Sequence, residues 1–365
     1  MKYETFKRME NFMAACFEAI GVPPADAAIC ANVLIESDKR GIDSHGVGRF
    51  VPIYINRINE GIQNPVTNFE VIREGPTTAV IDGHDGMGHV IAYKSMEMAI
   101  EKAKKYGMGM VAVRNSTHYG IAGYYTSMAA EAGMIGITGT NARPSIAPTF
   151  GVENMLGTNP LTIGLPTDEN FHFSLDCATS ITQRGKIEHY ARSGQTMPTG
   201  WVIDRQGNAV TCPNEALKGF DNGNCALTPL GGMGETLGGY KGFGYAAAVE
   251  IMSAALQSGL FLKALNGFDE NGQKRPYHLG HFFIAIDINA FIDLEEFKKT
   301  TGDILRELRA SKKSANETRI YTPGEKEYLA FLERQETGIP MNESVQKSLQ
   351  QARDDLKINF TFNWE

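Results

Sequence analysis

"PLGGMGETLGGYKGFG", residues 229–244, carries seven glycines in sixteen positions, and the sheet topology turns on what they are for. The run from Gly232 to Gly238 has one residue too many for the G-x-G-x-x-G turn that cradles a dinucleotide. Pro229 and polar residues precede it where that turn needs a buried strand. A phosphate-binding P-loop fails as well, because glycine follows Lys241 where Ser or Thr is required. Two readings stay open: turn glycines, or a phosphate contact by Lys241 at the start of "YAAAVEIMSAALQSG", where backbone N–H groups and the helix dipole favour an anion.

Upstream, from about residue 77, β-rich runs alternate with two helical segments near 90–106 and 121–132. The runs are TTAVIDG, GMVAVRNST, MIGITGT, NPLTIGLPT, FHFSLDCATS and GWVIDRQGNAV. Several follow one another with no helix between, which predicts an α/β chain with a mixed, partly antiparallel sheet. GHFFIAIDI adds a later strand. The termini read as helices: Phe6, Met9, Phe12, Met13, Cys16, Phe17 and Ile20 recur at helical spacing. PPADAAICANVLIESDKRG supplies another, with proline at its start and Gly41 closing it. LEEFKKTTGDILRELRAS and NESVQKSLQQARDDL follow near the C-terminus. The expected layout is a helical part from residues 1–75 with 290–365, and a central cofactor-binding part from 76–289.

At 365 residues with net charge −7 and 42% hydrophobic residues, the chain has material for a sizeable core. No basic patch marks a nucleic-acid binder, and no apolar run reaches the ~18 residues of a membrane span. Five cysteines without a CxxC pair suit a reducing compartment, and the cytoplasm is the expectation. HxxxH, HExxH and Cys/His clusters are lacking, so no metal is expected, and GxSxG is lacking too. His84 and His89, in DGHDGMGH, read as solvated turn residues.

Three stretches carry candidate chemistry. In GIDSHGVGRF, 41–50, His45 and Arg49 stand about one helical turn apart, either on an ordinary helix end or lining a site. His118, in RNSTHYGIAGYY, lies between a strand and a helix, as a turn residue or a catalytic one. Asp176, in SLDCATSITQRGK, ends an apolar run, where a carboxylate binds a ribose diol or caps a turn. Together they supply a carboxylate anchor, two proton donors, an acid for ribose and a basic glycine loop, an inventory suited to hydride transfer on a keto acid.

The pieces DSHGVGR, STHYGIAGYY, NARPSIAPTFG, GTNPLTIGLP, DCATS…RGK, PLGG…GGYKGFG and TPGE occur collinearly over roughly residues 40 to 325. In this the chain resembles the malate/L-lactate dehydrogenases of the second type, a group that also holds ureidoglycolate, sulfolactate and diketogulonate oxidoreductases and a cyclic-imine reductase. The resemblance implies a non-Rossmann α/β fold with a largely antiparallel sheet, and a homodimer with its active site at the subunit contact. It implies an NAD- or NADP-dependent 2-hydroxy-acid dehydrogenase, with malate and oxaloacetate the expected pair. Another member activity, or dinucleotide binding without turnover, is the alternative. Ser44, His45 and Arg49 match the active-site SHGxxR, and His118 matches a second active-site histidine. His118, Tyr119, Gly120, Ile121 and Ala122 match a cofactor contact, as do Asp176, Cys177 and Ala178, and the region containing Arg319, Pro323, Gly324 and Glu325. Thr158 is expected with Arg49 at the substrate. The chain departs at Cys177, where members commonly carry methionine, and at Lys186, where the cyclic-imine reductase has an acid. His118 is the expected acid/base, with His45 its rival.

Overall fold

The computed structural model describes residues 2–365. Helix α1 (Phe6–Ala19) buries Met9, Phe12, Met13, Cys16 and Phe17, the positions that the helical spacing selects. Helix α2 (Pro24–Lys39) begins on proline, and Gly41 beyond its end takes φ +74°. A helical segment then runs from Val47 to Asn59, π-helical over Phe50–Ile55. Pro52 lies inside it and has no N–H to give an α-helical ladder.

Strands β1 (Glu70–Glu74) and β2 (Thr78–Asp82) precede α3 (Gly88–Tyr106), β3 (Met108–Ser116) and α4 (Ala122–Glu131). Next come β4 (Met134–Thr140), β5 (Leu161–Leu165) and β6 (Phe173–Cys177). Helices α5 (Arg184–Ser193), α6 (Pro213–Asp221) and α7 (Gly239–Ala254) lead to β7 (Leu279–Asp287), and α8 (Leu294–Ala310), α9 (Glu325–Thr337) and α10 (Glu343–Asp355) complete the chain.

The seven strands form one mixed sheet in the order β1-β2-β3-β7-β4-β5-β6. Only β2 and β3 run parallel, with Thr78 opposite Met110; every other pairing is antiparallel. On one face Ile91, Met96, Tyr125 and Ala129 of α3 and α4 pack on Val111, Val113 and Phe283. Side chains alternate along β7, so Gly280 faces the other way, against Ser253 of α7. GWVIDRQGNAV is not a strand of this sheet. Val202–Asp204 is its strand; Ala209 bridges back onto Ile203, and the strand pairs with Cys225–Leu227 in a separate lobe built on Ile187, Met197 and Ala216.

The two chain ends are joined. Lys2–Glu4 pairs antiparallel with Ile339–Met341, and α1, α2, Phe50 and Tyr54 share one apolar core with Leu349 and Phe362. This core holds the segment carrying Ser44, His45 and Arg49 against the edge of α3.

Candidate active site

The SHGVGR segment is pinned from three sides. Asp38, 2% exposed near the end of α2, accepts the Val47 N–H at 2.8 Å. Gly46 packs so close that a Cβ there would lie 2.2 Å from the Asp38 carboxylate, which only glycine escapes. Arg334 of α9 ties the same corner, donating to the Asp38 carbonyl and forking onto Asp43. Burial pushes the Asp38 carboxyl up to about 8, against the opposing pull of the Val47 N–H.

On this support the Ser44 hydroxyl bonds His45 Nδ1 at 2.9 Å, and the exposed Arg49 donates from Nε to the Ser44 carbonyl at 2.7 Å. That contact turns the guanidinium and leaves its two Nη groups to make a fork on a carboxylate. His118 lies in the short link from β3 to α4, and its ring stacks on His45 with centroids 5.8 Å apart. Burial lowers the pKa of both imidazoles. For His118 the fall is large, and the charges of His45, Arg57, His89 and Arg49 add to it. For His45 the Asp176 carboxylate opposes the fall.

Tyr54 was not singled out in the sequence, yet its hydroxyl meets His118 Nδ1 at 2.6 Å. The Gly120 N–H, which can only donate, approaches the same Nδ1 at 3.4 Å. In the neutral ring Nδ1 is therefore the acceptor, Tyr54 donates to it, and the proton sits on Nε2. Behind Tyr54, 4.5 Å between centroids, lies His89. Contrary to the expectation of a solvated turn residue, His89 is 0% exposed, and neither ring nitrogen has a partner. The reason is local: α3 begins at Gly88, so His89 is already helical and faces inward. His84 is half-buried, with 40% of its side chain exposed, and pairs with Glu70. Tyr54 reads as core in the sequence because it follows Phe50 at helical spacing; the interrupting Pro52 was the available signal, since π-helical turns gather at functional sites.

Asp176 of β6 belongs to the same neighbourhood. One carboxylate oxygen accepts the Gly123 N–H at 2.7 Å in the first turn of α4, and the other accepts the Thr162 hydroxyl at 3.0 Å. The carboxylate thus caps a helix distant in sequence while bordering an open cleft. Tyr119, Ile121 and Ala122 are buried under α4, and Gly120 sits against His89 and Val33. Cys177 is half-buried, and burial with the Asp176 charge keeps its thiol protonated.

A second group gathers at the end of β6. The Thr158 carbonyl accepts the Thr179 N–H, and the Thr179 carbonyl accepts the Leu230 N–H. This places Thr158 near the glycine loop, and among the described residues no hydrogen bond joins Thr158 to Arg49. In that loop a Cβ on Gly239 would lie 2.1 Å from the Gly232 carbonyl oxygen, so turn packing explains these glycines. Lys241 stands exposed in the first turn of α7. Nearby, the Ser180 hydroxyl is buried with no partner. Arg319 pairs with the buried Glu325, whose other oxygen accepts the Thr322 N–H at 3.0 Å. The Pro323 carbonyl accepts the Ser174 N–H, so this segment borders β6 beside Asp176.

Comparison with known proteins places this arrangement. A family model for malate/L-lactate dehydrogenase matches residues 5–350. The malate dehydrogenase of Pyrococcus horikoshii is 45% identical over 342 residues, covering 94% of this chain and 92% of that one. The malate/(S)-sulfolactate dehydrogenase of Methanothermus fervidus is 36% identical, covering 94% and 95%. The crystal structure of malate dehydrogenase from Entamoeba histolytica superposes with a TM-score of 0.95 at 44% identity, covering 99% of each chain. The chain belongs to the malate/L-lactate dehydrogenase family and is an oxidoreductase of hydroxy acids.

Proposed function

We propose that the chain interconverts malate and oxaloacetate with a nicotinamide dinucleotide, NAD or NADP, and that His118 moves the proton. The observation that carries this reading is the Tyr54-held His118 ring beside His45 and the free fork of Arg49. The residues present fit such a dinucleotide. Asp176 borders the cleft with a half-buried carboxylate, and the unpartnered Ser180 hydroxyl and Lys241 stand where a phosphate finds donors. When bound, the dinucleotide supplies the hydride for C2 of the oxo acid.

The rest is done by side chains. Arg49 grips the C1 carboxylate through its two Nη groups and fixes C2 against His118. Burial is the main cause that holds the His118 pKa down, and the substrate carboxylate removes a lesser one by cancelling the Arg49 charge, which favours the protonated ring. In its proton-donating form the ring holds a proton at each nitrogen. Nε2–H gives its proton to the C2 oxygen as charge develops there, while Nδ1–H turns to the Tyr54 oxygen, because a hydroxyl both donates and accepts. Ser44 and His45 form the rival proton donor.

The cofactor contacts run from His118 to Ala122, over Asp176, Cys177 and Ala178, past Lys241, and along Arg319, Pro323, Gly324 and Glu325. We read the fold as a non-Rossmann dinucleotide fold, because one parallel pairing cannot make a doubly wound sheet. Residues 1–75 with 290–365 form the dimerisation and substrate part, and 76–289 the cofactor part. A homodimer is supported by apolar side chains left in solvent on the first of these parts: Phe291 is 79% exposed, and Ile304 and Leu308, one turn apart on α8, are 55% and 53% exposed. Five free cysteines suit the cytoplasm, and no helix among the described residues is long and apolar enough to cross a membrane.

The test is the absorbance of NADH and of NADPH with a panel of 2-oxo acids. Oxaloacetate should give the highest kcat/KM. Turnover confined to a sulfonated or ureido substrate would replace malate with another activity, and no turnover with any 2-oxo acid would overturn the reading.

A further inference from the structure

Beyond Asp176 the active site opens into a cleft of about 340 Å³ between α2, β6 and α9. One wall is aromatic, with Phe171 and Tyr328 near-parallel at 5.8 Å, and a base stacks on such a ring. The opposite wall is the last turn of α2. There Glu36 takes both nearby cations: Lys39 Nζ at 2.6 Å and Arg40 Nη2 at 3.5 Å. Arg40 spends another donor on the Ser127 hydroxyl at 3.2 Å. Glu131, from α4, faces the same pair, since Arg40 and Glu36 both act on its carboxyl. The lining has four acids (Glu36, Glu131, Asp176, Glu327) against two cations (Lys39, Arg40), and burial lowers the pKa of its one imidazole, His172.

Resting on the dehydrogenase reading above, we propose that this cleft receives the adenosine end of the dinucleotide and that Glu36 makes it select a 2′-hydroxyl over a 2′-phosphate, that is, NADH over NADPH. A phosphate brings about −1.5 to −2 charges at neutral pH and needs cations to pair with. Here it would have to draw Lys39 and Arg40 off Glu36 and leave that carboxylate facing the phosphate. A ribose hydroxyl carries no such cost, and it donates to carboxylates. The selection is electrostatic, so added salt weakens it.

The experiment is fluorescence titration of the purified chain with NADH and with NADPH, for wild type, Glu36→Gln and Glu101→Gln. Glu101→Gln makes the same charge change on α3, away from the cleft. Wild type should bind NADH at least ~10-fold more tightly than NADPH, and Glu36→Gln should shift the ratio of the two dissociation constants ~10-fold toward NADPH. Glu101→Gln should leave the ratio where it is. Equal wild-type affinities, or a ratio that Glu36→Gln does not move or moves no more than Glu101→Gln does, would overturn the assignment of Glu36 while leaving the dehydrogenase reading intact. Binding of neither dinucleotide would overturn both.

Discussion

Replacing Tyr54 by phenylalanine removes one oxygen from a fully buried ring and leaves its packing against Phe17 and His89 in place. The loss falls on His118. In the resting enzyme Nδ1 keeps only the long contact to the Gly120 N–H at 3.4 Å. In the substrate complex the protonated ring loses the acceptor for Nδ1–H, a hydrogen bond to a charged group of about 1.5–3 kcal/mol. That converts to a fall in kcat of ~10- to 10²-fold. Stability should fall by about 1–3 kcal/mol, because the ring volume stays but the buried His118 Nδ1 loses its close partner. The assay is steady-state kinetics with oxaloacetate beside NADH titration and thermal melting. We expect kcat to carry the loss, the NADH dissociation constant to hold within about twofold, and the alkaline limb of the kcat profile to move to lower pH as the charged ring loses its support. A Tyr54→Phe enzyme with wild-type kcat, or one whose defect lies in NADH binding, would refute the reasoning.

Other consequences follow from the same geometry. Arg49→Lys should lower kcat/KM by ~10²-fold for every accepted oxo acid, since an ammonium neither forks onto a carboxylate nor braces the Ser44 carbonyl; near-normal kinetics would show that this arginine does not position C2. Between about pH 4 and 8 the folded chain holds a proton on Asp38 that the unfolded chain has released, so stability falls as pH rises, by up to ~1.4 kcal/mol per unit. Melting of Asp38→Asn, whose amide oxygen still accepts from Val47, should therefore decline less from pH 5 to 9 than that of wild type; parallel declines would contradict this. His89 and His281 titrate at about 3 in the folded chain because burial disfavours their charge, so they act in the opposite sense. Their stability is present above pH 6.5 and lost as pH falls, roughly 4 kcal/mol together by pH 5, read by urea unfolding in the Asp38→Asn background. A flat stability from pH 7 to 5 would count against it.

Where one side of an element is buried, the sequence already carries its position. MIGITGT is β4 residue for residue, and the helix expected near 90–106 is α3 with two residues added at its start. Elements that bury little left no such trace. Every residue of the edge strand β1 is exposed, so it has no alternation, and α5 buries only Ile187 in a polar stretch. GWVIDRQGNAV has a strand-like composition, but Asp204 accepts backbone N–H groups from Gln206 and Asn208 and turns the chain after three residues. At the site, His45, Arg49, His118 and Asp176 stood out as polar groups at element ends. Tyr54 and His89 did not: Tyr54 sits at helical spacing among core residues, and His89 follows the glycine-rich DGHDGMG and reads as a turn residue although the helix already begins at Gly88. Asp38 lay hidden for a related reason: an acid in the last turn of a helix reads as surface until the loop folds back over it.

The central claim is that His118, held by Tyr54, moves the proton. Its most direct test is kcat for oxaloacetate reduction by His118→Ala and His45→Ala, each with its NADH dissociation constant. His118→Ala should lose ~10²–10⁴-fold in kcat while binding NADH nearly as wild type does. A His118→Ala enzyme within tenfold of wild type, with His45→Ala inactive, would contradict the account and give the proton to the Ser44–His45 pair.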